Sequence, residues 1–306
     1  MRTPLAIALG LSLALFGCSD DPGGDGDGDG DGDGDGDGDG DGDVGFVIET
    51  PDITIDAGDE RTYCYYTTIP TSVAVGVKRW SSTMTPGSHH MILFFSQTAE
   101  QPDGTIVEGC GFGQSAWTYS AAEPDAEMVM PSGVGMAVDP GQPVFVQMHY
   151  LNATDSPLDA KVRIEAEIFG EGEEFQQARP YITYNTQIDV DPGQTGSASG
   201  SCAVPAGAKF FNMSTHAHQF STLAQVHDSG TMLVNTDDWE HPDVATWDPS
   251  YEFTGNLDYR CEYFNTLNVP LTEGDSAESD EMCMAVGYFY PATAPVLCLN
   301  SFVVPL

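Results

Sequence analysis

Seven histidines occur in this sequence, and five are spaced so that they could hold metal. His216 and His218 stand one residue apart, within a stretch rich in aromatic and β-branched residues. On a strand, residues i and i+2 face the same side, so both imidazoles would enter one volume. Taken alone, such a pair more often decorates a solvated strand face. His89 and His90 are adjacent at the head of an apolar run, 91–95. Neighbouring side chains on a regular strand point to opposite faces, so both can reach one ion only where the backbone bends, and Gly87 just upstream would permit that. His149 interrupts the apolar run 144–150, where a single histidine is more often a satisfied core residue. A sixth donor is Met282, flanked by Asp280, Glu281 and Cys283 rather than by core residues. Imidazoles together with a thioether select copper, Cu(I) above all, over zinc or magnesium. His227 and His241 lie in looser surroundings and are set aside.

The elements that would position these donors read as β throughout. Alternating or β-branched runs cover 46–55, 61–69, 73–79, 90–95, 143–150 and 160–168. A second series covers 181–189, 197–205, 209–218, 223–226, 251–253, 260–265, 285–290 and 296–304. Turn residues separate them, Asp139-Pro140-Gly141 and Asp191-Pro192-Gly193 among others, and Pro51-Asp52 falls inside the first run and would split it. Short strands between regular turn signals predict sandwiches, not a helical or βαβ fold. The polar break at 170–174 divides the series, predicting an N-terminal β-sandwich over 46–170 and a C-terminal one over 171–306.

Residues 1–17 read as a targeting segment: Arg2, an apolar run at 5–16 too short to span a bilayer as a mature helix, then Leu15-Phe16-Gly17-Cys18. The pattern resembles a bacterial lipoprotein signal peptide. That resemblance implies cleavage before Cys18, lipidation of its thiol and, with Ser19 following, anchoring to the outer membrane of a Gram-negative cell, on its periplasmic or outer side. From 18 to 45 the chain is nearly all Asp and Gly. It offers nothing to bury and its charges repel, which predicts a disordered tether. Calcium binding there lacks the residue placement of an EF-hand loop or a β-helix repeat. The formal net charge is −38. Even without the tether the chain is strongly acidic, which argues against nucleic acid or an anionic membrane surface as partner. Setting Cys18 aside leaves Cys64, Cys110, Cys202, Cys261, Cys283 and Cys298. In an exported chain these read as three disulfides, with the pairing open on spacing alone.

Four motifs occur in order: His-His-Met at 89–91, Gln-x-His-Tyr at 147–150, His-x-His at 216–218 and Asp-Glu-Met-Cys at 280–283. With Gly133-Val134-Gly135 and Arg260-Cys261 beside them, the sequence over roughly 46–304 resembles the type II copper, ascorbate-dependent monooxygenases. This is the family of peptidylglycine α-hydroxylating monooxygenase and dopamine β-monooxygenase. The resemblance implies two tandem jelly-roll-like sandwiches, each carrying one copper, facing across a solvent-filled cleft. His89, His90 and His149 would hold an electron-transferring copper; His216, His218 and Met282 would hold the copper that meets dioxygen and substrate. It also implies the pairs Cys64–Cys110, Cys202–Cys298 and Cys261–Cys283, with ascorbate or an equivalent as reductant. Gln147 shares a strand face with His149, which suits contact with that ligand or with the cleft, and equally a solvated edge position.

The sequence also departs from the family. Where peptide-hydroxylating members carry an Arg two residues before His-x-His, this chain has Ser214. Where they use polar residues two and four after the Met, it has Met284 and Val286. A glycine-extended peptide is therefore not the expected substrate. The expectation is hydroxylation of a C–H bond in a small, less polar organic molecule by O2 and two electrons. The alternative is a copper-binding or copper-scavenging surface lipoprotein without catalysis, and a weaker one an adhesion sandwich with incidental histidines.

Overall fold

The computed structural model describes residues 44–111 and 115–304. The leader at 1–17, Cys18 and all but the last two residues of the 18–45 tether lie outside them. The described residues are all-β, with no α-helix. Pro51 and Asp52 do split the first run, into Val44–Glu49 and Ile53–Ile55.

Two main sheets make the first half, beside a two-stranded pairing of Ile53–Ile55 with Leu158–Ala160. One is six-stranded and contains Val44–Glu49, Val162–Ile168, Val75–Met84, Val134–Val138 and Gln176–Gln177 in that spatial order, with Asp125–Val129 also paired to Val75–Met84. The other is five-stranded, ordered Ile106–Glu108, Glu60–Thr68, Pro143–Leu151, Ser88–Phe95, Ala116–Ala121. They bury a shared core. Trp80 of the first sheet stacks on Tyr119 of the second at 6.0 Å and meets Phe95 edge-on at 6.4 Å. The second half repeats the plan. Its six-stranded sheet runs Val244–Glu252, Lys209–His216, Met284–Tyr290, Arg179–Tyr184, Val296–Leu299, Phe302–Val304, and its four-stranded sheet Thr195–Cys202, Leu257–Phe264, Ser221–Asp228, Thr231–Thr236. No sheet mixes strands before and after residue 178.

Three disulfides form, in the pairing the resemblance implies: Cys64–Cys110, Cys202–Cys298 and Cys261–Cys283. Cys202–Cys298 staples the four-stranded sheet of the second half to its six-stranded partner, and Cys261–Cys283 ties the four-stranded sheet to the residue that precedes strand Met284–Tyr290.

One strand explains how the halves meet. Along Met284–Tyr290, Met284, Val286 and Tyr288 pack into a core continuous with the first half, whereas Ala285 and Phe289 enter the second half's own core. The period-two alternation of a strand thus divides between two apolar environments. Gly287 lies in the same strand because a Cβ there would come within 2.5 Å of the Met213 side chain. Met284 and Val286, unexpected as polar-site substitutions, are residues of this seam.

Candidate metal centre

The backbone bend needed at His89 and His90 exists. In the pairing of Ser88–Phe95 with Pro143–Leu151, His90 stands opposite His149 and Ser88 opposite Tyr150, so His89 is the extra residue of a β-bulge. Gly87 precedes it at φ +100°, a conformation that favours glycine. The bulge turns both imidazoles to His149: ring centroids are 4.9 Å apart for His89 and His90, 5.3 Å for His89 and His149, and 5.1 Å for His90 and His149. One nitrogen from each of the three lies within 4.8 Å of the others.

The second pair is built differently from the strand expectation. Strand Lys209–His216 ends at His216, opposite Met284, and His218 lies beyond it. His218 is held instead by the segment before Met282. Its Nδ1–H donates to the Asp280 carbonyl at 3.2 Å, and its backbone N–H donates to Glu281 Oε2 at 2.9 Å. Glu281, 0% exposed, also accepts from the backbone N–H of Phe220 at 2.8 Å and of Met282 at 3.1 Å. Burial pushes this carboxyl up to about 7 against the pull of those donors. One carboxylate therefore fastens the His218 turn to the Met282 backbone. The resulting rings of His216 and His218 lie 5.3 Å apart, nearly perpendicular.

The two sets are not separated by an open cleft. His90 and His216 have ring centroids 5.1 Å apart, and His89 lies 6.1 Å from His216 and 6.4 Å from His218. Beside this cluster is a cavity of about 350 Å³ lined by His90, His149, His216, His218, Met282 and Met284. A second, of about 190 Å³, shares His90 and His216 and is bounded by Trp117, Met128, Val286 and Tyr288. Ser214, at its edge, donates its hydroxyl to the Asp243 carbonyl at 2.9 Å.

Burial first, and then the neighbouring imidazoles, hold His89 down to about 3 and His90 and His216 well below the ordinary histidine range. His218 is lowered to about 4, again by burial first. These four rings are neutral at pH 7, with a lone pair each to offer. His89 Nε2 and His90 Nδ1 are buried without any hydrogen-bond partner. Buried polar atoms are rarely left so, and a metal ion in the cluster would satisfy them. All six cysteines of the described residues are in disulfides and offer no thiolate; the imidazoles, with Met282 lining the same cavity, are a set that would suit copper.

Sequence motifs assign no role to three contributors, although Glu281 lies within Asp-Glu-Met-Cys at 280–283. Glu60 accepts from His149 Nε2–H at 2.6 Å. Burial would raise its pKa, but the bonds from His149, Ala277 and Ser276 outweigh that and hold it below the ordinary carboxylate value. Glu281 is the second. The third is Trp239, from the loop between Thr231–Thr236 and Val244–Glu252, whose ring packs on His89 at 4.9 Å. Gln147 lines the larger cavity but gives its amide to the Cys110 carbonyl at 3.0 Å, not to His149. Asp238, Glu240 and His241 also converge, but all three are exposed, and His241 is paired with Asp238 at 3.2 Å.

No family model matches the sequence, and no curated protein matches it. Among solved structures, the chain is similar to the major capsid protein P2 from bacteriophage PM2, with a TM-score of 0.33 and 7% identity over 79% of this chain and 96% of that one. It is also similar to PBSX exported protein XepA, with a TM-score of 0.20 and 9% identity over 80% of this chain and 86% of that one. Likeness at these scores bears on neither fold nor function.

Proposed function

We propose that this protein is a copper-dependent monooxygenase that hydroxylates a C–H bond of a small organic substrate, using O2 and two electrons from ascorbate or an equivalent reductant. The observation that carries the reading is the convergence of His90 and His149 from one sandwich with His216, His218 and Met282 from the other around one cavity, with His89 beside them, its ring 4.9 Å from that of His90. His89, His90 and His149 would hold one copper, and His216, His218 and Met282 the other.

Bound copper supplies the electron storage and oxygen activation that no side chain can provide. The protein's own residues prepare the place for it. Glu60 orients the His149 ring, Glu281 fastens the His218 turn to Met282, and the Cys261–Cys283 bridge limits the travel of that thioether. Met284 and Ile92 give the cavity apolar wall. Its one cation, Arg61, is committed to Asp59 at 2.6 Å and Glu108 at 3.3 Å. A substrate carboxylate would have to compete with those two acids for it, in keeping with a substrate other than a glycine-extended peptide. Three disulfides suit an oxidising compartment, and the resemblance of residues 15–18 to a lipobox is what points to lipid anchoring at the outer membrane.

Copper loading should reach two ions per chain, and ascorbate-dependent incorporation of one 18O atom from 18O2 into a substrate-panel member should be seen by mass spectrometry. Met282→Ala should abolish incorporation yet retain the first copper. Undiminished copper binding with His216 and His218 both changed to alanine would defeat the assignment. The 5.1 Å approach of His90 to His216 favours a second reading, a copper-holding lipoprotein without turnover. Two coppers bound with no label incorporated into any substrate would support it.

A further inference from the structure

We propose that Glu60 is a positioning residue that joins the two histidine sets into one unit, an inference that rests on the copper reading above. Glu60 opens strand Glu60–Thr68 and stands opposite Leu151, while Thr62 stands opposite His149. Glu60 and Thr62 share a face, so the Glu60 carboxylate reaches diagonally to the imidazole. It accepts from His149 Nε2–H at 2.6 Å.

The same carboxylate takes two donors from the other sandwich. Ala277 N–H donates to Oε1 at 3.1 Å and Ser276 Oγ–H to Oε2 at 3.3 Å. From there the chain of bonds continues. Asp280 N–H donates to the Ser276 carbonyl at 2.9 Å, and the Asp280 carbonyl accepts from His218 Nδ1–H at 3.2 Å. One hydrogen-bonded path therefore runs from His149 to His218 across both halves. Its ends are chemically defined. A carboxylate and a carbonyl only accept, so His149 must carry its proton on Nε2 and His218 on Nδ1. His149 then has Nδ1 free as a donor atom and His218 has Nε2. A ligand histidine commonly gives its other N–H to a carboxylate or carbonyl, which fixes tautomer and ring orientation. Here one path does so for both sets, and undocking segment 276–280 would release both at once.

Long-range 1H–15N imidazole correlations on the metal-free, 15N-labelled chain test this directly. The wild type should show His149 as the Nε2–H tautomer. Glu60→Gln, whose amide can donate as well as accept, should give a mixture of tautomers while the fold is kept; Glu60→Ala should go further. In copper titrations, Glu60→Gln should weaken the first site by about 10–100-fold. Coupling is read by a double-mutant cycle. In the wild type, removing His216 and His218 should weaken copper at the first site; in Glu60→Ala, or in Glu60→Gln should the alanine variant not fold, that removal should have little further effect. An Nδ1–H tautomer in the wild type, or tautomer and affinity unmoved by Glu60→Gln, would overturn the proposal. If the wild type binds no copper, the oxygenase reading fails, and the tautomer measurement still decides the role of Glu60.

Discussion

Glu281 meets the backbone of His218, 63 residues earlier in the chain, through a 2.9 Å hydrogen bond, and both residues are fully enclosed. With the bonds from Phe220 and Met282, the carboxylate completes three backbone donors that no strand ladder serves. Removing it strands all three. At about 1–3 kcal/mol for each buried donor left without an acceptor, Glu281→Ala should lower stability by about 3 kcal/mol or more. Urea unfolding would measure this. The same variant should bind one copper fewer, because the His218 turn and Met282 lose their common anchor. Two coppers at wild-type affinity in Glu281→Ala would refute that linkage.

The disulfides separate stability from site geometry. Cys202–Cys298 closes a span of 96 residues and Cys261–Cys283 one of 22. In the chain-entropy model the first contributes about 4–5 kcal/mol and the second about 3. Replacing Cys202 and Cys298 by alanine should therefore cost more in unfolding free energy, with the second copper's affinity little changed in protein that remains folded. Replacing Cys261 and Cys283 should cost less stability but weaken that copper, because Cys283 adjoins Met282. The opposite ranking for copper affinity would show that the bridge does not restrain Met282.

Trp239 supplies an optical report on the first set. Its ring centroid is 4.9 Å from that of His89, and the chain has four tryptophans in all. Copper at His89 should quench its emission. Trp239→Phe should remove a large part of the quenching that follows occupation of the first site, without changing the number of coppers bound. Quenching identical to wild type in this variant would mean the loop does not cover His89 in solution.

Much of this arrangement was legible in the sequence because local chemistry recorded it. Alternation marked the strands, Pro51-Asp52 marked a break, and Gly87 beside adjacent histidines marked the bulge that turns both rings one way. His216-x-His218 was legible as a pair, but the strand stops at His216, and the tie that holds His218 comes from Asp280 and Glu281. Glu60 and Trp239 act on partners 89 and 150 residues away, and such contacts leave no period or spacing to read; Glu281 stood inside Asp-Glu-Met-Cys, but nothing local marked its tie to His218, 63 residues away. Strands Ala116–Ala121, Asp125–Val129 and Thr231–Thr236 escaped for a related reason: their patterns are short, and sheet neighbours decide their state. Met284 and Val286 looked like losses from a polar site; the seam between the halves gives them a packing role.

Asp228 is the most heavily hydrogen-bonded buried carboxyl of the second sandwich's four-stranded sheet and should shape its acid stability. It is 1% exposed and accepts from Tyr251 Oη–H at 2.8 Å, Thr254 N–H at 2.7 Å and Gly255 N–H at 2.9 Å. Burial works to raise its pKa, but the donors, Thr254 foremost, outweigh it and leave the carboxyl below its ordinary value of 3.8. A carboxyl with a lower pKa folded than unfolded stabilises the fold above the unfolded value, and that contribution drains away as pH falls through the folded one. Unfolding free energy should thus be insensitive to Asp228 titration near neutral pH and fall below about pH 4. Asp228→Asn keeps the shape but replaces one accepting oxygen with a donor facing N–H groups, which should cost about 2 kcal/mol at pH 7. It should also flatten the acid limb of the stability curve. An acid limb of unchanged steepness in Asp228→Asn would assign that limb to other groups.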